Sequence, residues 1–595
     1  MNHLRRYFFA CLLCMPTAAI AQEKALKVTT PMSPPAWALL QREVLSASAE
    51  ACREFYRRYF DERGYLLCVE RWGGNDGPDD AIENCNDWPI LHALGASDEI
   101  RTLYEKAWEG HLRQYTLAKT THVPFAKDGM YYKEFPVQFD WLHHAEGLTV
   151  FQMQGLSHPQ QTQFETRARR FAGFYLNEDL GAQNYDAKHK IIRSMFNGSR
   201  GPLLRKATAL DWAGDPIEVK DRFLPGHGER SYEEMLAHFK DYNDIMGDHP
   251  QNLQATSLAL TAYMSTGEAK YKDWILDYVG AWRQRILDND GIIPTNVGLD
   301  GKLGSAASGK WYGGVYGWGF SVVVPQTGAI VHRNTHHLGL AGFGNAYLLT
   351  GDDKWLDPWR KMIDKINAQG KKEGYPHMFG DKGWYDFKPD KYKHGAEEIW
   401  YWSMKTEDQQ RLPQDGWLAF LQGKNPTYPE QTFRNELEVI RKKVAEMRAD
   451  PTTPDTRLAD DSMRFNPANA ANLVRLMLGG IHHGNRTLVL HSRVRYFDPD
   501  KRRPGLPQDV AALVEKLSND ETVLTLVNVS PVHARRVLIQ AGAYGEHRFT
   551  TATSGSTKLA VNGQHLEVLL EPGTGSQIKL GTKRYSQQPT LAWPR

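Results

Sequence analysis

Apolar residues recur three and four apart along most of the chain and alternate with polar ones only toward its C-terminal end. Trp355, Trp359, Ile363 and Ile366 show the helical spacing, which puts all four on one helix face. The same unit returns along the chain: an apolar segment runs into a Gly-containing turn, and an amphipathic segment follows. Copies read Trp88 to Gly95 then a helix to Tyr115; Leu148 to Gly155 then a helix to Leu176; and Leu253 to Gly267 then a helix through Trp274 to Ile286. Two more read Leu338 to Gly351 then Trp355 to Ile366, and Trp417 to Gly423 then Pro429 to Met447. Glycine suits the position just past a helix because it tolerates positive φ. Ser97 and Asp352 are placed to cap the helices that follow. The interval from Gly155 to Gly267 is about twice the shortest one, so a further copy is expected within 190–245.

Helical hairpins that repeat at this length bury their faces only against neighbours. The irregular copies and the long loops rich in Gly, Asn, His and Trp favour a closed (α/α) toroid of about six hairpins over an open solenoid. Past residue 485 the pattern changes to short strands divided by Gly, Pro, Asn and Ser turns. They read Leu488–Tyr496, Thr522–Val529, Arg536–Gln540, His547–Thr551, Lys558–Val561, Leu566–Leu570 and Gln577–Leu580, a β-sandwich pattern. Val510–Leu517 reads as a short helix in the connection. The expected organisation is a mainly α chain: a signal peptide over 1–21, the toroid over 22–484, and an antiparallel β-sandwich over 485–595.

The signal peptide rests on Arg5 and Arg6, the apolar run Tyr7–Met15 and the small-x-small pattern Ala19-Ile20-Ala21. It implies a periplasmic or secreted product that no longer meets a membrane once the signal is cleaved. Cys52, Cys68 and Cys85 remain after cleavage; at most one disulfide can form among them, and the pairing is open. With 72 basic and 70 acidic residues mixed along the chain, nothing marks a nucleic-acid binder. The 17 Trp and 26 Tyr, many beside Gly and Asn, suit stacking on sugar faces as well as a large core.

The chemistry-bearing segments fall at similar places, just before hairpin helices, so a closed ring would gather them at one mouth. Trp311-Tyr312 through Tyr316, then His332, Arg333, Asn334, His336 and His337, combine a base, an amide, an arginine and two tyrosines. These are the parts for taking a proton α to a uronate carboxylate: histidine as base, Asn334 or Arg333 for the developing charge, Tyr316 as acid. A second segment holds Asn75, Asp76, Asp79 and Asp80 in a Gly loop, able to act as acid, bind sugar hydroxyls or hold calcium. Asp140, His143, His144, Arg193, Asp248 and His249 are further substrate-binding candidates. No metal site is expected from the ligand spacing, and calcium is the one cofactor left open.

These features resemble the (α/α)-toroid carbohydrate-active enzymes, which include unsaturated glucuronyl hydrolases and toroid polysaccharide lyases. The order of toroid then β-sandwich is most similar to the uronate-specific lyases, the rhamnose–glucuronate lyases among them. The resemblance implies β-elimination on a uronate-containing oligo- or polysaccharide, with His332, Asn334, His336, Tyr316 and Arg333 as the catalytic set. Two alternatives stay open. One is a glucuronidase-like glycoside hydrolase on the same ring, drawing a carboxylate pair from Asp76, Asp79, Asp80, Asp140, Asp248 and Glu397. The other is a glycan-binding protein without catalysis.

Overall fold

A computed structural model describes residues 25–69, 77–118, 129–137, 140–198, 201–208, 211, 231, 233, 245–306, 308–311, 320–323, 330–333, 336–368, 394–484 and 488–594. The protein is an (α/α) toroid followed by an antiparallel β-sandwich. The inner helices are α3 (Trp88–Leu94), α5 (Trp141–Ser157), α7 (Thr256–Thr266), α9 (Leu340–Thr350), α11 (Ala396–Ser403) and α12 (Gly416–Leu421). Nearly every residue of α3, α5, α7 and α9 is buried, as a helix apolar on all sides requires. Amphipathic outer helices back the inner ones: α4 (Asp98–Leu117), α6 (Phe164–Gly173), α8 (Ala269–Asp288), α10 (Asp357–Ala368) and α13 (Tyr428–Ala449) follow α3, α5, α7, α9 and α12 in turn. The ring closes where α1 (Ala36–Tyr59) lies along α13. Glu54 pairs with Arg448 at 2.6 Å, and the Tyr59 hydroxyl donates to Asp450 at 2.8 Å.

Gly95, Gly267, Gly351 and Gly423 all take positive φ at the predicted turns, and Ser97 and Asp352 accept the expected cap hydrogen bonds. Gly155 departs from the prediction. It sits inside α5, where a Cβ would stand 3.0 Å from both Leu591 and Phe164, so close packing rather than a turn explains it. The copy expected within 190–245 falls mostly outside the described residues; its described start forms two short hairpins, 185–192 and 197–202. The signal peptide also lies outside them. Among the described residues, no helix is long and apolar enough to cross a membrane, and Cys52, Cys68 and Cys85 are buried and joined in no disulfide.

The sandwich has one sheet ordered Leu26–Val28, His565–Leu570, Arg535–Ala541, Val494–Asp498, Arg503–Pro504. The other is ordered Val510–Leu517, Glu521–Asn528, Gly575–Lys583, Arg548–Ser554, Thr557–Gly563. Leu26–Val28 thus precedes the ring in sequence yet belongs to the sandwich, parallel to His565–Leu570. Val510–Leu517 is a strand, not the helix its sequence suggested. Its first five residues are all buried because the sandwich core covers one face and α1 the other, so polar alternation is lost. Gln41 of α1 seals that contact, donating to the Ala512 carbonyl at 2.8 Å and accepting its N–H at 3.0 Å.

Candidate active site

The N-terminal ends of α5, α7, α9 and α11 gather at one end of the ring. Gln254, just before α7, donates to the carbonyl of Trp141, the first residue of α5, at 3.0 Å. The turn His336–Gly339 that starts α9 lies on Pro250, and Gly395, which precedes α11, lies on Leu340. Helix α2 (Pro78–Glu83) settles over the same end of α5: a Cβ on Gly147 would touch Asp79 Cα at 3.6 Å.

Local sequence fixes each group. Gly77 and Pro78 start α2, and Asp80 accepts the Gly77 N–H at 2.9 Å, which leaves Asp79 and Asp80 on the first turn, where a helix end favours negative charge. Asp140 caps α5, accepting the N–H groups of Leu142 at 2.7 Å and His143 at 3.2 Å, while its second oxygen meets His143 Nδ1 at 3.0 Å. His143 and Glu146, three apart on α5, share a face. One ligand atom from each of Asp79, His143 and Glu146 lies within 4.8 Å of the others. Asp79 is buried, and its Oδ1 has no hydrogen-bond partner.

Charge divides these groups sharply. Burial, then the negative charge of Asp80, with Glu146 and Glu83 behind it, holds Asp79 well above the carboxylate range despite His143. Burial and the nearby Asp460 push Asp80 up to about 7. Burial works against a charged imidazole at His143, but Asp140, then Asp79 and Glu146, push it up to about 10. Tyr131, whose hydroxyl meets His111 Nε2, is raised by burial and by Asp79. The site therefore combines an acid whose protonated form burial favours, a carboxyl poised near neutrality to gain or lose its proton, and an imidazolium. The imidazolium supplies the positive charge among these carboxyls that a metal ion would otherwise bring, so the donor set suits proton transfer.

The other expected residues take varied places. Asp140 and His143 join Asp79 here, while His144 is buried between Phe135 and Trp141. Asp248 is buried inside the ring, its carboxylate taken up by Asn252 and Tyr278 at 2.9 Å, the Trp282 indole at 3.1 Å and the His249 N–H at 3.0 Å. His249 Nδ1 meets the Thr295 carbonyl at 2.9 Å. Arg193 is half-buried beside Asn184, and Trp311 is half-buried with its carbonyl bonded to Thr295. Glu397 pairs with Arg475 at 2.6 Å. His332 and Arg333 lie on a strand paired with Ser321 and Phe320; their side chains, and those of His336 and His337, lie outside the described residues, as do Asn75, Asp76, Tyr312, Tyr316 and Asn334 entirely. Glu146 was missed, although its spacing from His143 on a helix could have shown it. Asp460 reaches the site from far along the sequence and left no local signal.

A ring of hairpins with an acid-lined end defines the class. The chain belongs to the family described as "Domain of unknown function (DUF8034)", whose model matches residues 25–378 and 413–474. No curated protein matches it. Its neighbours among solved structures are carbohydrate-active enzymes. The α-1,6-mannanase GH76A from Salegentibacter sp. HEL1_6 is 10% identical over 72% of this chain and 99% of its own, with a TM-score of 0.30. The β-1,3-1,4-glucanase from Paenibacillus sp. X4 is 11% identical over 74% and 93%, with a TM-score of 0.31. Cellobiose 2-epimerase from Bacillus thermoamylovorans B4167 is 11% identical over 58% and 94%, with a TM-score of 0.20.

Proposed function

We propose that the protein is an exported glycoside hydrolase acting on an uncharged glycan, with Asp79 as general acid and Asp80 as its partner carboxyl. One observation carries this reading: two carboxyls adjacent in sequence stand at the ring end, and Asp79, with a buried unpartnered oxygen, lies against Glu146 and the His143 imidazole. Glycoside hydrolysis needs an acid that keeps its proton at working pH to protonate the leaving oxygen. It also needs a second carboxyl that can give up its proton. Burial favours the protonated form of Asp79, and Asp80, pushed up to about 7, can serve as the second group. The His143 imidazolium limits how far the cluster is raised. A uronate would bring one more carboxylate to Asp79, Asp80, Glu83, Glu146 and Asp460, so this acidic surrounding favours a neutral sugar.

The test incubates the protein with uncharged and uronate-containing glycans, following reducing ends and ultraviolet absorbance together. New reducing ends without absorbance support hydrolysis. Asp79→Asn and Asp80→Asn should each lower kcat by about 10²–10⁴-fold with the fold retained. Turnover accompanied by a rise in absorbance would replace this reading with β-elimination by the set around His332 and His336. Full activity in both Asn variants would remove these two residues from the chemistry.

A further inference from the structure

A second cluster lies apart from the residues used above, where α3 begins. Asp87, the residue before α3, and the consecutive His482 and His483, on the segment leading into the sandwich, bring one ligand atom each to within 4.8 Å of one another. Asp87 Oδ1 stands 2.8 Å from His482 Nε2 and 3.8 Å from His483 Nε2. A tetrahedral ion with bonds of about 2.0–2.1 Å sets its ligand atoms about 3.3 Å apart, and the two distances bracket that value. His483 is 1% exposed, yet neither of its ring nitrogens has a hydrogen-bond partner. A buried imidazole without a partner is costly, so its nitrogen is set toward something it can bind. The supports are in place: Asp87 Oδ2 accepts the Ala470 N–H at 2.7 Å, which fixes the carboxylate plane. His482 is 24% exposed and gives an ion its way in from solvent.

We propose that Asp87, His482 and His483 bind one divalent transition-metal ion of the zinc class, with a fourth position open on the His482 side. Two imidazoles and a carboxylate are borderline donors that suit zinc, cobalt or nickel and poorly suit calcium or magnesium. His482 Nδ1 now accepts the Gly484 N–H at 3.0 Å, so Nε2 carries the ring proton and donates it to Asp87. On binding, the ion takes that place on Nε2, the proton passes to Nδ1, and the Gly484 N–H turns to solvent. Gly484 itself has positive φ and nothing within 4 Å of where a side chain would be. The bound ion would tie the start of an inner helix to the connection into the sandwich. Nothing in this site depends on the hydrolase reading.

The experiment titrates Co²⁺ into the untagged, chelator-treated full chain and follows visible d–d absorption, then displaces it with Zn²⁺. One Co²⁺ per chain, displaced by Zn²⁺, is expected. His482→Ala and His483→Ala should each weaken binding on the order of tenfold or more, while His189→Ala, a half-buried histidine paired with Asp186, leaves it unchanged. Far-UV circular dichroism and glycan turnover track the fold of each variant. Should buried His483→Ala fail to fold, the partly exposed His482→Gln carries the test alone. Absence of saturable uptake, or uptake unchanged in the folded His variants, overturns the site, and glycan turnover reports separately on the hydrolase.

Discussion

The charge on His143 is set by Asp140, and replacing Asp140 separates its two duties. As the cap of α5 it accepts two backbone N–H groups; as a carboxylate it pairs with the imidazole at 3.0 Å. Asp140→Asn keeps a good cap and removes the charge, whereas Asp140→Ala removes both, the cap alone being worth about 1 kcal/mol. His143 stands at about 10 in the native protein. Without its largest raising influence it should fall toward the ordinary histidine value. At pH 8 the protonated fraction then drops from roughly 99% to roughly 3% if the value falls from about 10 to about 6.5. The sign for stability follows. A raised folded value means that the imidazolium stabilises the fold fully below about 6.5, and that this stabilisation is lost as pH rises through about 10. Asp140→Asn should therefore flatten the alkaline limb of the stability profile, and Asp140→Ala should add a pH-independent loss. Histidine titration by NMR on selectively labelled protein reads the charge directly. Native His143 titrating near 6.5, or an unmoved value in Asp140→Asn, would refute the electrostatic account of this site.

Two further predictions test the scaffold. Asp248→Ala leaves the groups of Asn252, Tyr278, Trp282 and His249 without their acceptor; at about 1–3 kcal/mol for each buried donor, the variant should lose cooperative unfolding in a thermal melt, and a native-like melt would show that this carboxylate is not a structural knot. Gly95→Ala would place a Cβ 2.6 Å from the Leu506 carbonyl oxygen and 2.9 Å from its nitrogen at φ 114°, so a loss above about 1 kcal/mol and faster proteolysis around Leu506 are expected in limited digestion.

Much of the ring was legible because its signals are local. The inner helices announce themselves by being apolar on all sides, the outer ones by a single stripe, and Gly267, Gly351 and Gly423 by the left-handed turn each supplies. The strand Val510–Leu517 was misread because an element buried on both faces carries no alternation, and Gly155 because a glycine chosen for close packing looks like one chosen for a turn. The site was half legible. Asp79, Asp140 and His143 stood out as polar residues ahead of apolar helices, and ring closure brings them together. Glu146 and Asp460 sit in segments that read as ordinary helix or loop. What makes them count is burial beside other carboxyls, which only the tertiary structure defines. Asp87 with His482 and His483 is the extreme case, since Asp87 and the two histidines lie 395 or more residues apart in the chain.

Burial of Asp79 also costs stability, and that cost gives the last prediction. A carboxyl whose folded value is raised binds its proton more tightly when folded than when unfolded. Its contribution is most favourable below the unfolded value and is lost as pH rises toward the folded one. For Asp80 that window runs from the ordinary carboxylate range to about 7, and for Asp79 it extends upward from the same start. Asp79→Asn keeps the shape, removes the ionisable group and relieves Asp80 of its neighbour, so the variant should melt above the native protein at pH 7–8 and near it at pH 4. In the same variant, turnover should collapse. A buried acid kept for structure alone would show no such opposition of stability and rate. Thermal melts across pH beside kcat for Asp79→Asn decide the matter: a variant that is both less stable at neutral pH and fully active would mean that Asp79 is a structural residue and that the chemistry of this ring lies elsewhere.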